Sequence, residues 1–112
     1  MKTISFELSK TLNDLWLLNN IETEYWLYKN PNWDIIVCWY EDNNIWKTLT
    51  LEEAIIFIWN IKWLSSKLIV FEWWYTWTNN KIDINISNTD LLLITEWYIE
   101  YLIDNNLITN NK

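Results

Sequence analysis

Not one of the 112 residues is glycine, so every chain reversal and every helix end must be made by residues that carry a Cβ. Left-handed backbone is then strained almost everywhere, and Asn and Asp tolerate it best. The Asn-rich stretches become the punctuation: Asn19-Asn20, Asn30-Pro31-Asn32-Trp33, Glu41-Asp42-Asn43-Asn44, Asn79-Asn80 and Asn105-Asn106 mark candidate turns and helix ends along the chain.

Between these marks the periodicity predicts three helices and two hairpins. Leu8, Leu12, Leu15 and Leu18 share a helical stripe, which predicts a helix from Lys10 to about Leu18 capped by Ser9. Strands over Glu24–Lys29 and Asp34–Tyr40 form a hairpin closed by Asn30–Trp33. Thr50-Leu51-Glu52-Glu53 reads as a capping box that opens a helix to about Lys62, with Leu51, Ala54, Ile55 and Ile58 inward. Lys67–Trp77 and Lys81–Ser87 are expected to pair through a two-residue Asn79-Asn80 turn, setting Trp77 beside Ile82, Tyr75 beside Ile84 and Trp73 beside Ile86. That register puts Ile69, Phe71, Trp73, Tyr75, Trp77, Ile82, Ile84 and Ile86 on the core face, and Trp74 on the polar side opposite Asn85. A last helix, capped by Asn88 or Thr89, runs to about Asp104 and buries Leu91, Ile94, Thr95, Tyr98 and Leu102. The expected fold is α+β: one domain over residues 1–112, order α-ββ-α-ββ-α, with an antiparallel sheet of about four strands and helices mainly on one face.

The chemistry available is narrow. With no His, Ser–His, Cys–His and His-ligated metal sites are excluded. Phosphate-cradling loops need glycine, and the lone Cys38 provides neither a disulfide nor a thiolate ligand set. A net charge of −7 and the absence of Arg argue against binding nucleic acid or an anionic membrane and favour a basic protein partner. No apolar run reaches spanning length, and an acid at Glu7 stands where a signal peptide needs its apolar stretch, so cytoplasmic residence is expected. No cofactor and no catalytic residue is expected.

Two features point to contact with another molecule. Glu96, Glu100 and Asp104 recur at four-residue spacing on the last helix, an acidic strip whose like charges destabilise the helix slightly and suit a basic surface. Trp74, on the polar side of its hairpin, is a candidate anchor, with a covered core position as its alternative. These four residues are the expected partner-binding set of a non-enzymatic binding module. Two further readings use other residues: a carbohydrate or small-ligand binder stacking on Trp73, Trp74 or Trp77, and a paired-carboxylate hydrolase built on Glu22 and Glu24.

The absence of glycine coincides with 11 tryptophans, several at places that favour glycine: Trp33 in a turn, Trp16 and Trp63 near helix ends, Trp46 and Trp77 beside loops. One account is a gene that reads UGA as glycine, with Trp written in its place. The intact mass of the protein from its native host decides between the two. Ser9-Lys10-Thr11-Leu12-Asn13-Asp14-Leu15, Glu22-Thr23-Glu24-Tyr25-Trp26, Thr50-Leu51-Glu52-Glu53-Ala54 and Leu102-Ile103-Asp104-Asn105-Asn106-Leu107-Ile108 together resemble a family of small phage and prophage proteins. Members often carry Gly at the position of Trp16. The resemblance implies only a mobile-element origin and carries over no catalytic residue. The acidic strip of Glu96, Glu100 and Asp104 is what favours an accessory or inhibitor protein of anti-defence, antitoxin or immunity type that masks a basic surface.

Overall fold

The computed structural model describes residues 3–19, 21–29, 32, 34–38 and 46–108. It is an α+β chain of two compact units, one formed by the residues up to Thr50 together with Ile108 and the other by Leu51–Leu107.

The first unit holds helix α1 (Phe6–Asp14) and strands β1 (Tyr25–Lys29), β2 (Ile35–Cys38) and β3 (Trp46–Thr48). The strands form an antiparallel sheet in the order β2-β1-β3. Leu8 and Leu12 are buried as their spacing predicts, along with Ile4, Leu18, Leu27 and Leu49. The cap differs from expectation. Ser5, four residues before Ser9, is the N-cap and its Oγ accepts from the Leu8 N–H at 3.2 Å. Ser9 lies inside the helix, fully buried, with its hydroxyl 2.9 Å from that of Thr48. A tertiary hydroxyl pair thus uses the serine that local sequence marks as a cap. Trp46–Thr48 lacked the length to show an alternating pattern, yet it pairs with β1 and places Trp46 edge-on to Phe6 at 5.0 Å.

The second unit holds helix α2 (Leu51–Trp59), strands β4 (Lys67–Phe71), β5 (Trp74–Asn79) and β6 (Ile84–Asn88), and helix α3 (Leu91–Asp104). Its sheet is antiparallel in the order β4-β5-β6. The expected sheet of about four strands is therefore replaced by two sheets of three. The long strand predicted over Lys67–Trp77 is broken by a two-residue reversal at Glu72-Trp73, with Phe71 paired to Trp74 and Glu72 at φ 53. No Gly, Asn or Pro marks that turn, so its sequence reads as uninterrupted strand. The reversal moves Ile69 and Phe71 off the expected core face and leaves Trp73 in the turn.

The β5–β6 register also differs. Trp77 faces Ile86, Thr78 faces Asn85 and Asn79 faces Ile84, a slip of four residues from the Trp77–Ile82 pairing. Because four is even, Tyr75, Trp77, Ile84 and Ile86 still share one face. The slip has a cause in Asn79. Its Nδ2 donates to the Leu64 carbonyl at 2.7 Å and to the Tyr98 hydroxyl at 3.1 Å, and its Oδ1 accepts from the Lys81 N–H at 2.8 Å. An asparagine so engaged belongs to the strand end, and the left-handed residue of the turn is Asp83 at φ 51. Helix α2 ends at Trp59, short of Lys62, with Ala54, Phe57 and Ile58 buried. Helix α3 is capped by Asp90, whose carboxylate accepts from the Leu93 N–H at 3.2 Å, while Asn88 accepts from the Asp90 N–H. The expected Asn30–Trp33 turn lies outside the described residues except for Asn32, which is an exposed turn residue. The Glu41–Asn44 loop lies outside them entirely.

Two helices end in the same way with different residues. After α1 the N–H groups of Trp16 and Leu17 donate to the carbonyls of Asn13 and Leu12. After α3 those of Asn106 and Leu107 donate to Ile103 and Leu102. Both patterns are Schellman closures, which place one residue in left-handed backbone. Asn106 takes it at φ 55 and Trp16 at φ 63, with the indole 62% exposed. An exposed ring at that position recovers little burial to offset the clash of its Cβ. Trp16→Gly is expected to raise stability by about 1 kcal/mol in urea titration. Asn106→Gly should gain less, because Asn is already tolerant of that backbone. Among the described residues the other singled-out Trp positions differ: Trp46 is in a strand, Trp63 is exposed without positive φ, and Trp77 is buried, while Trp33 lies outside the described residues.

Candidate protein-interaction surface

Helix α3 is fixed in rotation by buried polar contacts as well as by its apolar face. Ile94, Thr95, Tyr98, Ile99 and Leu102 point inward. Thr95 Oγ1 donates to the Leu91 carbonyl at 2.7 Å and accepts from the Trp77 indole N–H at 2.9 Å. The Tyr98 hydroxyl lies 2.5 Å from Ser66 Oγ and accepts from Asn79. Trp77 stacks at a tilt on Tyr98, with ring centroids 5.3 Å apart. Each contact is satisfied in only one helix orientation, so the opposite side of α3 is turned to solvent.

That outward side carries Glu96, Glu100 and Asp104, and beside them Trp97 and Tyr101, both exposed. At 100° per residue these five positions fall within a single arc of about 140°. The helix contains no Lys. Burial, then the neighbouring carboxylates of Glu96 and Asp104, push the Glu100 carboxyl above the ordinary range. Acids in the last turns also oppose the helix dipole, whose C-terminal end is negative. Neither arrangement helps the helix to form. Trp97 and Tyr101 were not singled out by sequence, although they repeat the four-residue spacing of Glu96 and Glu100 one position later.

Trp74 is separated from this strip. It opens β5 opposite Phe71, on the sheet face away from Trp77 and hence away from α3. It is 46% exposed, so the covered reading fails, and the residue facing Asn85 is Thr78. With it on the outer face lie Ile69 and Phe71, which the unrecognised turn exposes. Trp77 is wholly buried and cannot serve as a stacking platform. Glu22 and Glu24 are both exposed, on either side of half-buried Thr23. Cys38 is a free, half-buried thiol in β2.

Two hollows occur on the second unit. An open one of about 510 Å³ on α2 is lined by Leu51, Glu52, Ile55, Ile56 and Trp59, apolar apart from one carboxylate. A smaller one of about 180 Å³ lies between the Leu64–Lys67 segment and the β5–β6 turn, where Lys81 Nζ is held by the Trp63 carbonyl at 2.6 Å. Among the described residues no group of three His, Cys, Asp or Glu side chains could hold a metal ion, and no helix is long and apolar enough to cross a membrane. No family model, curated protein or solved structure matches the chain.

Proposed function

We propose that this chain is a non-enzymatic protein-binding module that masks a basic surface on its partner, acting as an accessory or inhibitor protein of a mobile element, of anti-defence, antitoxin or immunity type. One observation carries the reading: the solvent side of α3 joins three acids at four-residue spacing to two exposed aromatic rings, with no Lys among them. Aromatic side chains provide desolvated contact area, and the carboxylates steer and orient a cationic partner. A partner ammonium or guanidinium would relieve the crowding of charge around Glu100. Binding requires neither nucleic acid nor membrane.

The test is capture from a lysate of the native host, followed by affinity measurement on the partner so identified. Replacing Glu96→Gln, Glu100→Gln and Asp104→Asn together should weaken binding about tenfold or more, and Trp97→Ala about thirtyfold. Raising the salt concentration should weaken the wild-type complex and leave that of the triple variant nearly unchanged. Pairing with a cation needs Glu100 ionised, so affinity falls as pH drops through its raised pKa. The fall begins at higher pH than for an ordinary glutamate, and Glu100→Gln abolishes that early onset. A partner held equally well by the triple variant, at any salt, refutes the proposal.

A further inference from the structure

We propose that two copies of the chain associate by antiparallel pairing of their β4 strands about a two-fold axis through Ile69. Strand β4 is the edge of its sheet, paired to β5 on one side, and among the described residues no hydrogen bond from another element reaches its outer edge. Natural edge strands are commonly blunted by charge, Pro, a bulge or a covering group. In the first unit the edge strand β3 has such a cover: the Asn13 amide bonds both the N–H and the carbonyl of Lys47. Strand β4 has none. Its sequence is Lys-Leu-Ile-Val-Phe, and Ile69, Val70 and Phe71 are 51%, 60% and 70% exposed.

The chemistry of the strand selects a second copy and a register. A two-fold axis perpendicular to the sheet keeps the helix-covered faces of both copies on one side, and this permits only registers that set a residue opposite its own equivalent. Centred on Ile69, the pairing puts Ile69 against Ile69, Leu68 against Val70, and Lys67 against Phe71 of the other copy. Lys67 is the strand's only charged residue. It then covers the Phe71 ring with its stem and brings its ammonium beside Glu72, the next residue in the other copy. Both ends of the joined strands thus gain an opposite-charge pair, and the exposed Val70 is covered by Leu68. A six-stranded sheet results, with the two-fold closing the contact so that no new edge is created at it.

Sedimentation of the full chain over a dilution series should show a monomer–dimer equilibrium. Ile69→Lys places like charges on the axis and should weaken the dimer at least about a hundredfold, with circular dichroism unchanged because this side chain points outward. Lys67→Glu and Glu72→Lys should each weaken it about tenfold across the two symmetric pairs, and the double exchange should restore it. The triple acid variant of α3 should leave the dimer unchanged, which separates this interface from partner binding. A chain that stays monomeric throughout, or that is monomeric but accepts a foreign extended peptide at this edge, overturns the proposal. So does a dimer indifferent to Ile69→Lys or to the charge exchange. If Ile69→Lys fails to fold, the exchange series decides alone.

Discussion

Trp77→Ala is expected to remove about 3–5 kcal/mol of stability, read as a large fall in the urea midpoint. The side chain is 0% exposed. It meets Trp59 edge-on with centroids 6.3 Å apart and Tyr98 at 5.3 Å, and its N–H is spent on Thr95. Truncation leaves a void among strands and helix that well-packed neighbours can fill only in part. For a domain stable by about 5–15 kcal/mol the loss is a large share of the total. Trp77→Phe separates the two contributions. It keeps most of the ring and deletes the indole donor, and it should cost about 1–2 kcal/mol, because Thr95 retains its bond to Leu91 and only the acceptor side goes unused. An Ala variant that melts with the wild type would show that the indole is not packed as described.

That position also sharpens the problem set by a chain without glycine. Trp77 and Trp16 are both sequence candidates for a written-in Trp, and the structure divides them. Trp16 occupies left-handed backbone with its ring in solvent, where glycine would be favoured. Trp77 fills the interior and makes a hydrogen bond, and a glycine there would leave a void larger still than alanine does. The substitutions Trp16→Gly and Trp77→Ala are thus expected to move stability in opposite directions, although composition alone treats the two residues alike.

The parts of the fold legible in sequence are those set by local periodicity over two or more helical turns. Leu8 with Leu12, and Ile94 with Tyr98 and Leu102, repeat often enough to fix a buried face, and the Glu96, Glu100, Asp104 strip follows from the same spacing on the other side. The illegible parts were decided by partners distant in sequence. Ser9 reads as a cap but is 39 residues from the hydroxyl that claims it. Asn79 reads as a turn residue, yet its amide is held by Leu64 and Tyr98. The reversal at Glu72-Trp73 carries no turn residue at all. It turns Ile69 and Phe71 outward and creates the exposed edge. Of the expected binding set, three residues share one face of α3, and Trp74 lies across the sheet from them. A strand pattern of period two cannot say which face a helix will cover.

Asn13→Ala is expected to cost about 2–4 kcal/mol, although it removes only a short, half-buried side chain from the last turns of α1. Its amide is matched to the open edge of β3. Nδ2 donates to the Lys47 carbonyl at 2.9 Å, and Oδ1 accepts from the Lys47 N–H at 3.2 Å. The same Nδ2 donates to the Ser9 carbonyl at 2.7 Å. One side chain therefore does at this edge what a further strand would do, and truncation leaves a part-buried donor and acceptor unpaired. The cost is then the desolvation of two backbone groups, which exceeds the modest net value of the bonds themselves. Lys47 is held from its other end as well, its ammonium donating to the carbonyls of Leu18 and Ile21 at 3.1 and 2.8 Å beyond the helix end. Asn13→Asp isolates the donor. It keeps an acceptor for the Lys47 N–H, but it sets a carboxylate against two carbonyl oxygens. It should therefore destabilise by an amount comparable to Ala near neutral pH and by less once acid protonates it into a donor. If both variants unfold with the wild type, β3 is held by its pairing to β1 and by core burial, and the amide contributes nothing.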